Sequence, residues 1–297
     1  MKLFAPKYYK KFKCIADKCC HSCCVGWEID VDPDTLEKYS SLAEGYGTKI
    51  KESIDFADTP HFRLCENEKC PHLDDKGLCR IISECGEDYL CDICREHPRF
   101  YNYTARGKEV GIGLSCEEAA RIVLSSDDYN EFYIVEELDG EGLDTDFDAV
   151  KCREQIYRII SDRTTPYPER IAQIRDMFEL SLSEISKDIF LSLEYLDETH
   201  KELFLAFSAD METPKEYEKM LERALAYFIY RHCSGAYDRE EFRASLGFAL
   251  FCERHLASLI SDQNATEEEA VELARIISEE IEYSEENTER IKGEFYL

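Results

Sequence analysis

The sequence predicts a mainly α-helical protein with two domains, and two observations support this. Twelve of the fifteen cysteines lie between Cys14 and Cys116, in a region with few periodic patterns. We expect an N-terminal cysteine-rich domain there, with short helices, a hairpin and little other regular structure. Beyond residue 150, apolar residues recur every three or four positions, as on one face of a helix. We therefore expect domains over residues 1–125 and 150–297, the second an acidic helical bundle.

Local signals place a few elements in the cysteine-rich part. Asp32 followed by Pro33 is typical of an N-cap and first helical turn, so a helix should run to about Leu42. A turn at residues 106–108 should join strands over 101–104 and 109–112 into a hairpin. Cys116 should open a short helix.

The C-terminal half contains four helical patterns. Two capping signals, at residues 213–216 with Pro214 at N1 and at residues 266–269, should each begin a helix. Apolar stripes supply the inward faces. They are Phe178, Leu182, Ile185, Ile189, Leu193 and Leu196, then Tyr217, Leu221, Ala224, Phe228 and Ile229, then Phe242, Leu246, Leu250, Leu256, Leu259 and Ile260, then Leu273, Ala274, Ile277 and Ile281.

Charge excludes some partners and favours others. The chain carries a net charge of −28, of which residues 126–297 hold −24 (18 basic against 42 acidic residues). Such a surface repels nucleic acid and attracts a lysine-rich protein. No run of 18 apolar residues indicates a membrane span, and the N-terminus lacks a secretory pattern. We expect a cytoplasmic protein.

In a reducing cytosol, dense cysteines indicate metal binding rather than disulfides. The cysteines form four groups, around residues 14–24, 70–79, 91–94 and 116. Zinc and iron–sulfur clusters both take four thiolates, and the sequence leaves both open. The lack of paired Cys-x2-Cys knuckles favours iron–sulfur. His21, His72 and His97 lie among the cysteines and are expected to be polar neighbours rather than ligands.

At these residues the chain resembles the flagellin lysine-N-methylase family. The similarity is carried by FKCIADKCCHSCCVGWEIDVD, CPHLDDKGLCRIISECGEDYLCDICREHPR and LSCEEAARIVL, and it resumes at YFIYRH and IEYSEEN. A broader group of zinc- or iron-chelating proteins shares the equivalents of Cys19, Cys23, Cys24, Cys70, Cys79 and Cys94. The resemblance implies a ligand set of nine cysteines: Cys14, Cys19, Cys23, Cys24, Cys70, Cys79, Cys91, Cys94 and Cys116. We predict at least one [4Fe–4S] cluster, with zinc as the alternative metal.

The resemblance further implies methyl transfer from S-adenosylmethionine to the ε-amine of protein lysines, with flagellin as the substrate class. A lysine amine has a pKa near ~10.4, so the enzyme must remove a proton before attack. Asp88, Tyr89, Tyr101 and Tyr103 are catalytic candidates by their proximity to the cysteines. Arg95 and Arg99 could bind the donor carboxylate, or could instead pair with Glu84, Glu87 or Asp88. The alternative function is a non-catalytic metal or redox module that docks a partner protein.

Overall fold

A computed structural model describes residues 1–182, 185, 188–208 and 213–296. Its backbone contacts divide the chain into two compact units. The cysteine-rich unit comprises residues 13–98, and the helical unit comprises residues 1–12 together with 99–297. This division differs from the predicted domains, because the N-terminal strand and the residues after Pro98 share one sheet in the helical unit.

The elements confirm a mainly α-helical protein. The strands are β1 Lys2–Pro6, β2 Ile54–Asp55, β3 His61–Phe62, β4 Arg99–Thr104, β5 Gly107–Ile112 and β6 Phe132–Glu137. The helices are α1 Pro33–Ser41, α2 Tyr46–Ser53, α3 Arg80–Cys85, α4 Asp92–Glu96, α5 Glu117–Ser125, α6 Ala149–Ile160, α7 Tyr167–Met177, α8 Asp188–Ser192, α9 Lys201–Leu205, α10 Glu218–Cys233, α11 Arg239–Gln263, α12 Glu267–Ile277 and α13 Glu285–Gly293. A π-helical turn, Ser278–Glu282, follows α12 directly. Within the described parts of the chain, no helix is long and apolar enough to cross a membrane.

Most of the predicted elements are confirmed. The Asp32 carboxylate accepts a hydrogen bond of 2.9 Å from the Thr35 amide at the start of α1. Strands β4 and β5 form the expected antiparallel hairpin. Helix α5 begins directly after Cys116. At α12, Thr266 and Glu269 form the complete reciprocal capping box.

Two helix predictions are wrong. The stripe over residues 178–196 is not one helix: α7 ends before Phe178, Glu179 adopts a positive φ of 53°, and in this stretch only α8 is helical among the described residues. The capping signal at residues 213–216 does not form either. The Thr213 hydroxyl accepts from Arg254 at 3.0 Å, and a 3₁₀ turn precedes α10. The Thr213 hydroxyl thus binds Arg254 from a distant part of the sequence and does not cap a helix.

The helical unit combines a four-stranded sheet with a bundle. The sheet order is β4-β5-β1-β6, with β1 parallel to β5 and antiparallel to β6. The N-terminal strand β1 is therefore an inner strand of this sheet. Its Leu3 and Ala5 side chains are buried, whereas Lys2 is exposed. Helices α10 and α11 form the centre of the bundle core.

A buried ion pair joins the sheet to the bundle. The Arg153 guanidinium of α6 binds both carboxylate oxygens of Glu109 on β5, at 2.6 and 2.7 Å. Both side chains are at most 4% exposed. The carboxylate strengthens the protonated state of Arg153 against the opposing effect of burial, so its pKa lies above the ordinary value. Neither group can be removed without leaving the other charge unpaired.

Glu109→Gln should lower the free energy of unfolding by about 3–5 kcal/mol, because the Arg153 charge stays buried without its partner. The matched control is Glu154→Gln, which removes an exposed ion pair to Arg106, also at 2.7 Å. That variant should lose at most about 1 kcal/mol. Urea unfolding followed by circular dichroism measures both. Equal losses in the two variants would contradict this assignment.

Candidate functional site

Backbone pairing brings the first two cysteine segments of the cysteine-rich unit together. The Cys70 amide donates to the Cys24 carbonyl at 2.8 Å, and an antiparallel bridge joins Val25 to Lys69. An antiparallel bridge across a turn joins Cys79 to Leu73, and Cys79 occupies the N-cap position of α3. Backbone pairing thus connects the segments of Cys24, Cys70 and Cys79.

The third segment adds two thiols through helix geometry. Cys91 occupies the N-cap position of α4, and Cys94 follows one turn later. Residues three apart lie on the same helix face, so the two thiols are neighbours. Cys91 is fully buried beside the Tyr39 ring, whose hydroxyl lies 3.6 Å from its Sγ. The Tyr39 hydroxyl also donates to the Tyr89 carbonyl at 2.7 Å, which holds the ring against α4.

Five of the predicted thiols thus lie in or against one small apolar cluster, and they form the five-thiol core. Cys70 and Cys91 are buried in the cluster, and Cys24, Cys79 and Cys94 pack against it. Burial raises the pKa of the Cys70 thiol to about 12 and also raises that of Cys79. Without a cation these groups hold their protons. A bound metal would replace those protons, since the thiolate is the ligand.

Hydrogen bonds between neighbouring thiols shift the pKa values of several of them. The bond from Cys23 lowers the pKa of Cys24 to about 7. The bond between Cys91 and Cys94 lowers the pKa of Cys91 and, together with burial, raises that of Cys94. Two of the three segments therefore carry a thiol whose pKa is lowered. Thiolates are ligands both of four-cysteine iron–sulfur clusters and of zinc, so the donor chemistry suits either metal.

The other predicted ligands are not in this core. Cys14 and Cys23 are exposed, and the Cys19 thiol donates to the His21 carbonyl at 2.9 Å. Cys116 belongs to the helical unit, where it precedes α5. Cys85, which the prediction left out, packs against the thiol core. All fifteen cysteines are free of disulfides.

His72 is a structural residue, as expected. It is buried, and its Nδ1 and Nε2 lie 2.9 Å from the Tyr46 hydroxyl and 3.0 Å from the Ser53 hydroxyl. Burial lowers its pKa to about 4, so the ring is neutral. With both nitrogens engaged, His72 has none left for a metal.

The predicted catalytic and donor-binding residues are divided between the units. Asp88, Tyr89 and Arg95 lie in the cysteine-rich unit, where Arg95 forms an ion pair with Asp92. Arg99, Tyr101 and Tyr103 lie in the helical unit. There Arg99 donates to the Tyr9 hydroxyl at 2.8 Å, and the Lys108 ammonium sits over both exposed tyrosine rings of β4.

The helical unit contains a cavity that sequence reasoning missed. Its volume is about 310 Å³, and its lining includes Phe100 of β4, Arg231 and His232 of α10, and Glu282 of the π-helical turn. The Glu282 carboxylate is fully buried and lies 2.6 Å from His232 Nε2. It also accepts from the Tyr227 hydroxyl at 3.0 Å. Tyr227, Arg231 and His232 lie in the segment YFIYRH, and Glu282 lies in IEYSEEN. The family resemblance at these two segments was the signal available in the sequence.

Electrostatics keep this cluster in a defined state. Burial on its own would raise the pKa of Glu282, but the Arg231 guanidinium and the hydrogen bond from His232 outweigh it, so the pKa is lowered. Burial lowers the pKa of His232 despite that carboxylate. An ionised Glu282 beside a neutral imidazole requires the ring proton on Nε2. Nδ1 is then the ring nitrogen that can accept a proton.

Comparison with known proteins places this helical unit in a family. The family model described as the FliB lysine N-methylase C-terminal domain matches residues 111–296. The chain belongs to this family. The match covers Arg231, His232 and Glu282 around the cavity, and it covers Cys116 among the predicted ligands.

Curated relatives of the FliB family are similar over a shorter stretch. A flagellar biosynthetic protein FliU of Salmonella muenchen is 25% identical over 130 residues, which is 41% of this chain and 77% of the relative. Lysine-N-methylases of Salmonella typhimurium and Salmonella choleraesuis are each 26% identical over 130 residues, or 32% of their length. The match thus spans about a third of those two enzymes. No solved structure gives a significant match.

Cys94→Ala should lower metal binding by this FliB-family chain, because it removes one of the five core thiols and the hydrogen bond that lowers the pKa of Cys91. Cys233→Ala should leave the metal-to-protein ratio unchanged, since Cys233 is buried in α10 of the helical unit. Elemental analysis of both purified variants measures the ratio. Full metal content in the Cys94 variant would remove this residue from the ligand set.

Proposed function

We propose that the chain is an S-adenosylmethionine-dependent N-methyltransferase of protein lysines. Its membership in the FliB lysine N-methylase family over residues 111–296 carries this proposal. Two relatives bear the name lysine-N-methylase, and the chain matches a third of their length. The family match covers most of the helical unit.

Flagellin, or a similar lysine-bearing protein, is the proposed substrate. One relative is named a flagellar biosynthetic protein. The strongly acidic C-terminal part, with −24 over residues 126–297, would speed encounter with a basic partner and disfavour nucleic acid. The cytoplasm is the proposed compartment, because a high density of cysteines without disulfides is typical of proteins in a reducing solution.

The cysteine-rich unit is proposed to hold a [4Fe–4S] cluster, with zinc as the alternative. Four ligands are required, and the five-thiol core supplies them with one to spare. A cluster there would supply a redox centre and join the three segments. The residues proposed to hold it are Cys24, Cys70, Cys79, Cys91 and Cys94.

Roles at the reacting atoms stay predictions for the residues chosen from the sequence. Arg95 and Arg99 are proposed to bind the donor carboxylate. Asp92 contacts the Arg95 guanidinium, and the Tyr9 hydroxyl accepts a hydrogen bond from Arg99. Asp88, Tyr89, Tyr101 and Tyr103 are candidates for removing the lysine proton. The alternative function, a non-catalytic metal or redox module, uses the same thiols and differs in having no affinity for S-adenosylmethionine.

Anaerobically purified protein should be brown and contain iron and sulfide in equal amounts. The reason is that the cysteines lack the paired Cys-x2-Cys knuckles that are usual in four-cysteine zinc sites. Iron, sulfide and zinc analysis measures this directly. Colourless protein with one zinc per chain would refute the iron–sulfur cluster and keep the ligand set, and metal-free protein with disulfides would refute both.

Metal-replete enzyme should transfer labelled methyl groups from S-adenosylmethionine to lysines of a co-expressed flagellin. Mass spectrometry of flagellin peptides locates the label, and a flagellin with those lysines changed to arginine should acquire none. Calorimetric titration with S-adenosylmethionine should show binding. Absence of both transfer and donor binding would favour the non-catalytic alternative.

A further inference from the structure

The cavity in the helical unit is open to solvent. Its volume of about 310 Å³ lies at the lower end of the range for small-ligand pockets. Strand β4, helix α10 and the segment from the π-helical turn into α13 all contribute to its wall. Short π-helical turns inside helical segments occur frequently at functional sites. Here the turn carries Glu282 into the cavity lining.

The charges of the lining select a cation. Arg231 compensates Glu282 at 3.4 Å, and the Lys292 ammonium compensates Glu289 at 3.0 Å. Glu285, the first residue of α13, is exposed and has no ion-pair partner among the described residues. With a neutral His232, the lining keeps one uncompensated negative charge. A positively charged side chain is the ligand that would complement it.

The interior of the cavity pairs a histidine with a buried carboxylate. Glu282 fixes the imidazole through Nε2 at 2.6 Å, as carboxylates orient histidine bases in other enzymes. Tyr227 and Arg231 in turn hold the carboxylate. A proton that reaches His232 would therefore form an imidazolium beside an ionised partner, which stabilises it. The nearby Arg231 charge would also lower the pKa of an incoming ammonium.

We infer that this cavity receives the substrate lysine, that Glu285 attracts its ammonium, and that His232 is the base that deprotonates it. This inference rests on the proposed methyltransferase function. The N–H bond breaks, its electron pair stays on the lysine nitrogen, and the proton moves to His232 Nδ1. The amine nitrogen then bonds to the methyl carbon of S-adenosylmethionine. The bond between that carbon and sulfur breaks, and its electron pair stays on sulfur. Glu282 is a positioning residue.

The His232→Gln variant tests the base. Glutamine keeps an N–H donor for Glu282 but cannot accept a proton, so kcat should fall about 100-fold or more while KM for the protein substrate changes little. His200→Gln is the matched control. Its Nδ1 lies 2.7 Å from Glu280 of the same π-helical turn, and it does not line the cavity. Circular dichroism verifies that both variants fold. Equal kcat values in the two variants would overturn the role of His232.

The Glu285→Gln variant tests the ligand. It should raise KM for the protein substrate about two- to fivefold, the size expected of an exposed ion pair, and leave kcat and the affinity for S-adenosylmethionine unchanged. Weaker donor binding in this variant would mean that the cavity attracts the sulfonium instead, and would overturn the assignment to lysine.

A binding measurement separates this inference from the proposed function. The probes are a fluorescent flagellin-sequence peptide with one lysine and the same peptide with norleucine in its place. Wild-type protein should bind the lysine peptide more tightly, and Glu285→Gln should remove that preference. Equal affinities in the wild type would overturn the cavity assignment. If the wild type shows the preference but transfers no methyl group, the methyltransferase proposal fails while the lysine site stands.

Discussion

Carboxylates buried in the helical unit need cations or hydrogen-bond donors, and this requirement connects its elements. Glu222 of α10 accepts from Arg170 at 2.8 Å, from Arg163 at 3.0 Å and from the Tyr129 hydroxyl at 2.9 Å. Glu109 does the same with Arg153 across the boundary between sheet and bundle. Each carboxylate is thereby satisfied by residues distant in sequence, so the contacts form only when the whole unit folds.

The π-helical turn shows how this constraint leads to a site. Its extra residue lets two nearby glutamates face different partners. Glu280 accepts from the amides of Leu196 and Asp197 and from His200, and is a structural group with every contact inside the protein. Glu282 is equally buried, but its histidine lines an open cavity. The same chemical pair therefore serves packing in one case and is available to a ligand in the other.

The cysteine-rich unit meets the opposite difficulty, too little core. Its buried apolar cluster has nine residues, and two of them are Cys70 and Cys91. A unit of this size buries a smaller share of its surface than a larger domain does. Its cysteines form no disulfides, and the proposed metal would add a cross-link where the cluster contains cysteines. Metal binding would then contribute directly to the stability of this unit.

The sequence by itself determined the local features. The Asp32 cap, the β4–β5 hairpin, the capping box of α12 and the apolar stripe of α11 each depend on residues a few positions apart, and all are found as expected. The Cys-x2-Cys spacing likewise placed Cys91 and Cys94 together. The family resemblance, carried by short motifs, is confirmed by the match over residues 111–296.

Tertiary structure decided what depends on distant partners. The stripe over residues 178–196 satisfied helical spacing, yet helix α7 ends before it, and Thr213 found Arg254 instead of capping a helix. The division into units depends on the pairing of β1 with β5 and β6, strands that lie more than a hundred residues from β1 in the sequence. The Glu282–His232 pair, fifty residues apart in sequence, could not be predicted from spacing, because a buried charge takes whichever partner the completed fold brings near.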